Sequence, residues 1–157
     1  MTYLPEHGEL SAIVRPKEAM PLLERATSSA QFVATGAITA ERYGLFRWSM
    51  QPHAGGPKPH VHRTFSEAFY ILEGTVKLYD GSSWLDTGPG DFVYVPEGGI
   101  HAFSADSDEP AAMLILFAPG IPRERFFQAT ADIANSGRQL TPEEWTAFYA
   151  EHDQFMV

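Results

Sequence analysis

The stretch Gly55-Gly56-Pro57-Lys58-Pro59-His60-Val61-His62-Arg63-Thr64-Phe65-Ser66-Glu67 restricts the fold of this chain more than any other. His60 and His62 are two residues apart, so on an extended backbone both rings leave the same face. Glu67 follows His62 by five, an odd offset that an unbroken strand would send to the opposite face. The chain must therefore turn or bulge around Arg63-Thr64, with the two histidines on one strand and Glu67 on the next. A second glycine- and proline-rich segment, Gly90 through Pro96-Glu97-Gly98, then delivers His101 from a separate hairpin. Three imidazoles and one carboxylate suit a divalent transition metal that keeps positions open for further ligands.

The rest of the chain reads as short strands followed by helices. Apolar pieces at 10–14 and 31–34, around Pro16, Pro21 and the small-residue run 26–30, predict two edge strands forming an N-terminal arm. The aromatic-rich segment 41–51 predicts a strand that stops at Pro52. Further strands are predicted at 65–72, 75–79, 84–85, 91–95, 101–104 and 111–117, the last buried on both sides. Asp80-Gly81 marks a hairpin between two of them. After Pro119-Gly120 the apolar spacing becomes helical over 122–134, ended by Asn135 and Gly137. Thr141-Pro142-Glu143-Glu144 is a capping box that opens a second helix running to about His152, with Trp145, Phe148 and Tyr149 on its packing face. Strands with Gly/Pro turns and then helices predict a small all-β barrel with a helical tail, in one domain over 1–157: core about 38–118, tail about 121–157.

These residues identify the chain as similar to the cupins. The first cupin motif, His-x-His, three or four residues, Glu, six residues, Gly, stands here as His60-Val61-His62, Glu67 and Gly74. The second stands as Gly90, Pro96-Glu97-Gly98 and His101, with Ala105 where the motif closes on Asn. The resemblance implies a jelly-roll β-barrel with one metal ion inside, bound by His60, His62, Glu67 and His101, and a homodimer as the common assembly. Such sites accept Fe, Mn, Ni, Co, Cu or Zn. Within the family, the segment 67–74 and the helical tail resemble small quercetin-dioxygenase-like proteins, and polyketide cyclases of the cupin type share the same motifs.

The resemblance implies a dioxygenase acting on a small aromatic or enolic substrate, with Glu67 as the proton acceptor. The alternatives are a cyclase or isomerase using the metal as a Lewis acid, and a non-catalytic small-molecule binder. Phe65, Phe69 and Ile71 share parity with Glu67, and Phe103 with His101, so an aromatic wall around a flat apolar substrate is expected. Few basic residues are expected to face inward, although the register of the strand carrying Arg47 and Trp48 is open. Arg123, Glu124 and Arg125 are read as a solvated helix face, and His7, His53 and His152 as surface histidines.

Composition excludes several other classes. Eleven basic against twenty acidic residues give a net charge of −9, which opposes nucleic acid or anionic membrane as a partner. With no cysteine, disulfides and thiol nucleophiles are excluded. Residues 1–7 lack the basic and apolar blocks of a signal peptide, and no apolar stretch approaches the ~18 residues of a membrane span. The expectation is a cytoplasmic protein.

Overall fold

The computed structural model describes residues 6–157, so the leader reading of residues 1–7 falls mostly outside it. Alternation of side chains along the strands decides what faces inward. In β3 (Gly44–Met50), Phe46, Trp48 and Met50 are buried while Leu45, Arg47 and Ser49 face the other way. Arg47 thus points outward, where it meets Glu73 at 2.9 Å. The same alternation buries Glu67, Phe69 and Ile71 in β5 (Ser66–Glu73) and Met113, Ile115 and Phe117 in β10 (Ala111–Ala118).

β10 lies between β3 and β5 in a six-stranded antiparallel sheet whose remaining members are β1 (Leu22–Glu24), β2 (Ser28–Ala34) and β8 (Phe92–Val95), in the order β1-β2-β3-β10-β5-β8. A second sheet runs β7-β6-β9, from β6 (Val76–Tyr79), β7 (Trp84–Thr87) and β9 (Ala102–Ser104). The two form a jelly-roll sandwich that does not close into a barrel. Between them lie Phe46, Phe69, Ile71, Val76, Leu78, Met113, Ile115 and Phe117, each at most 3% exposed. Burial of one such aromatic or branched side chain contributes about 1.5–3 kcal/mol.

The N-terminal arm differs from its sequence reading. Residues 10–14 form no strand, and Leu10, Ile13 and Val14 are exposed. The edge of β2 is taken instead by β1, whose Leu23 packs on the core and whose Leu22 pairs with Gln31. A strand needs a partner edge, and the nearest hairpin occupies it. The small-residue run expected as loop belongs in part to β2, because Ser28 and Ser29 pair with Met50 and Ser49 of β3.

Helix α1 (Arg123–Ser136) ends at Gly137, whose φ of 71° is the left-handed cap that glycine favours. It sets Phe126 and Phe127 into the same cluster as Phe46 and Trp48. Helix α2 (Pro142–Glu151) opens on the expected capping box of Thr141 and Glu144. Its face is only half buried, with Phe148 and Tyr149 against the core and Trp145 stacked on Tyr149. Beyond it, β11 (Phe155–Met156), a strand the sequence reading did not contain, pairs with the expected histidine strand, β4 (His60–Val61). Among the described residues, no helix is long and apolar enough to cross a membrane.

Candidate metal centre

Three separate backbone devices bring the four predicted ligands together. His60 lies in β4, held between β11 on one side and His101 on the other, with each of the two histidines donating its backbone N–H to the other's carbonyl at 3.1 Å. After His62 the chain bends at Arg63-Thr64 and re-enters the sheet as β5, as the odd offset to Glu67 requires. The bend is closed by Asp153, whose Oδ2 accepts from Arg63 N (3.0 Å), Thr64 N (2.8 Å) and Thr64 Oγ1 (2.7 Å). His101 follows the turn at Gly98 (φ 79°), whose N–H donates to His62 O at 2.7 Å. Gly56 is required nearby for a different reason: a Cβ there would lie 1.9 Å from Phe103 O.

His60, His62, Glu67 and His101 are all at most 5% exposed, and one ligand-type atom from each lies within 4.8 Å of every other. Each histidine donates Nδ1–H to a carbonyl: His60 to Lys58 (2.7 Å), His62 to Asp153 (2.7 Å) and His101 to Gly99 (3.0 Å). A carbonyl only accepts, so Nδ1 carries a proton and Nε2 is the ring nitrogen turned toward the cluster. This outer support is what orients ligating imidazoles in metal sites. Glu67 Oε2 is 2.8 Å from His101 Nε2 and 3.2 Å from His62 Nε2. The His62 contact lacks hydrogen-bonding geometry, so its Nε2 is a buried polar atom without a partner. An orphaned nitrogen and four ligand-type atoms this close together are compatible with a single metal ion.

The electrostatics favour deprotonated His60 and Glu67. Burial, helped by the charge of His101, pushes His60 down to about 3. Burial alone would raise the Glu67 carboxyl, but the hydrogen bond to His101 and the proximity of His62 outweigh this and hold it well below the usual carboxylate range. Burial works against a charge on His101, yet the hydrogen bond and charge of Glu67 prevail and raise its pKa. Across their 2.8 Å contact Glu67 and His101 therefore each favour the charged form of the other.

A cavity of about 950 Å³ reaches the cluster at His60 and Glu67. Of the predicted aromatic wall, Phe103 lines it, together with Trp48, Phe126 and Phe127. Phe65, Phe69 and Ile71 are buried as expected, but they do not line this cavity. Phe65 stacks on His62 at 4.2 Å, and Phe69 lies 6.1 Å from His101.

Two sequence readings are corrected here. Arg123 is not solvated: it is 4% exposed, lies over the Phe126 ring at 4.0 Å and donates to His152 O and Gln154 Oε1. Its helical offsets of three and four from Phe126 and Phe127 were the signal that placed it on the buried face. Inward basic residues are accordingly present, since Arg25 also lines the cavity, 5.5 Å from the Trp48 ring. His152 is half-buried against Phe126 and Phe148, whereas His53 is exposed and pairs with Asp108 at 2.7 Å. Asp153 carried no sequence signal, because its partners lie about ninety residues away.

Comparison with known proteins agrees with this geometry. A profile described as a cupin domain matches residues 46–117. Quercetin 2,3-dioxygenase of Bacillus subtilis (strain 168) is 33% identical over 82 residues, 49% of this chain and 24% of that protein, so the chain spans about a quarter of its length. Among solved structures, KdgF from Halomonas sp. superposes with a TM-score of 0.62 at 15% identity, over 73% of this chain and 99% of that one. The polyketide cyclase RemF from Streptomyces resistomycificus gives 0.60 at 18% identity, over 71% and 82%. Ectoine synthase from P. lautus gives 0.61 at 13% identity, over 76% and 87%. By motif, matched sequence and fold, residues 46–117 of this chain form a cupin domain.

Proposed function

We propose that this protein is a metal-dependent dioxygenase acting on a small aromatic or enolic molecule, with His60, His62, Glu67 and His101 as the metal ligands. The observation that carries the reading is the convergence of four buried ligand-type atoms at a cavity with aromatic lining. The 33% identity to a quercetin 2,3-dioxygenase, across 49% of this chain and 24% of that protein, supports the reaction class. A divalent ion there would acidify a bound enol or phenol hydroxyl and offer a position for dioxygen. His60, His62 and His101 hold their rings for this role through the Nδ1–H bonds. Glu67, kept ionised, accepts the hydroxyl proton at a carboxylate oxygen. Phe103 contacts the substrate, while the buried Phe65, Phe69 and Ile71 exclude water.

Oxygen uptake by metal-loaded protein given a flavonol tests the reading, with an anaerobic control. Turnover that continues unchanged without O2 removes the dioxygenase and favours the second reading, a Lewis-acid cyclase or isomerase. That alternative is supported by the fold likeness to a polyketide cyclase, and a poly-β-ketone is its diagnostic substrate. Retention of an unchanged ligand would instead favour a binding protein. We also propose a homodimer, supported by the exposed aromatic residues Tyr70, Phe92 and Tyr94 on the outer face of the large sheet. Light scattering in solution checks it.

A further inference from the structure

The cavity beside the metal centre reverses the charge balance of the chain. Of eleven basic residues, Arg25, Lys58 and Arg123 line it; of twenty acidic ones, only Glu24 and Glu67 do. Glu67 is moreover committed to the cluster through His62 and His101. Arg123 is the exceptional member. A guanidinium has five N–H donors, and here one goes to His152 O, one to Gln154 Oε1, and Nε is buried with no partner. No carboxylate lies within salt-bridge distance of it among the described residues. The Phe126 ring at 4.0 Å and the more distant charges of Glu67 and Asp153 offset part of the cost of burying this cation, but no anion pairs with it directly. A second donor, Trp48 Nε1, is also buried without an acceptor on the same cavity.

The distance suits one small molecule spanning both places. The Arg123 guanidinium carbon is 5.5 Å from the Phe65 ring, which is stacked 4.2 Å from His62. The cation is therefore no more than about 10 Å from the imidazole ring of His62. We infer that the substrate is an organic carboxylate, whose anionic end is held by Arg123 while its hydroxyl or enol oxygen lies at the histidine cluster. This deepens the proposed function by naming the substrate class, and it adds a charged end to the flat aromatic or apolar ligand expected from sequence. The inference rests on a substrate reaching the cluster, but not on the reaction being an oxygenation.

A matched pair of probes tests it without turnover. 3,4-Dihydroxybenzoate and 3,4-dihydroxybenzamide carry the same catechol, so they differ in the charge at the far end alone. Binding of each to metal-loaded protein is followed anaerobically by calorimetry, in wild type, Arg123→Gln and Arg123→Lys. The expected result is a preference for the acid of about tenfold in wild type, as charge-assisted bonds give. It is largely kept in Arg123→Lys and lost in Arg123→Gln. The wild-type comparison needs no variant, so it stands even where Arg123→Gln fails to fold. Equal affinity for acid and amide, no binding of the acid, or a preference that survives in folded Arg123→Gln overturns the inference. Failure of oxygen uptake leaves these outcomes untouched and removes the dioxygenase reading alone.

Discussion

Replacement of Asp153 by alanine is expected to weaken the metal centre although Asp153 is not among the proposed ligands. Its carboxylate accepts the three bonds that close the bend at Arg63-Thr64, and its carbonyl accepts His62 Nδ1–H at 2.7 Å. The bend is exposed, so its freed donors find water, and each lost bond costs about 0.5–1 kcal/mol. Asp153 also has a φ of 51°, where aspartate is tolerated better than alanine, adding roughly 1 kcal/mol. The total is about 3 kcal/mol, a fall in Tm of roughly 6–12 °C for a chain of this size. Loss of a group that orients a ligating histidine costs about 10–100-fold in metal affinity. Asp153→Asn keeps an acceptor and the backbone tolerance, and should lose less than half as much. Thermal melts of chelator-stripped protein, with competition for Zn²⁺ against a chromogenic chelator, measure both quantities. An Asp153→Ala protein that melts lower yet binds the ion within about twofold of wild type would show that the tail covers the centre without orienting His62.

Three further outcomes follow from the same geometry. In chelator-stripped protein, the raised pKa of His101 makes its contribution to stability complete below pH 6.5 and lost as pH rises through that raised value; the lowered pKa of Glu67 makes its contribution complete above pH 4.5 and lost as pH falls through the lowered value. Urea midpoints across pH should show both limbs, and metal uptake near neutral pH should release the His101 proton to an indicator dye. Gly56→Ala places a Cβ 1.9 Å from Phe103 O and should impair folding and metal loading, while Gly55→Ala, with nothing within 4 Å, should melt like wild type. Phe46→Ala empties a fully buried site bordered by Phe32, Phe117 and Phe127, and denaturant titration should read a loss of about 3–5 kcal/mol.

Much of the fold and of the candidate centre is legible in the residues alone, for reasons of periodicity. The two-residue period of a strand assigns His60 with His62 and Glu67 with Phe69 and Ile71, and the odd offset demands the bend at Arg63-Thr64. Local chemistry likewise sets the capping box at Thr141 and the helix stop at Gly137. Which way Arg47 and Trp48 face followed from pairing of β3 with β10, because an isolated strand does not say which face is the core.

Tertiary structure alone decided what surrounds the cluster. Residues 10–14 are apolar enough for a strand, yet β1 occupies the only neighbouring edge of β2 among the described residues. Arg123 looks like any surface arginine until α1 docks and turns its Phe126 face inward, carrying the cation into the cavity. Asp153 reaches the His62 bend only once β11 has paired with β4. Ligand identity and strand parity are encoded within a few residues, so sequence determines them. The charge and shape of the cavity depend on contacts between segments far apart in the chain, and only packing brings those together.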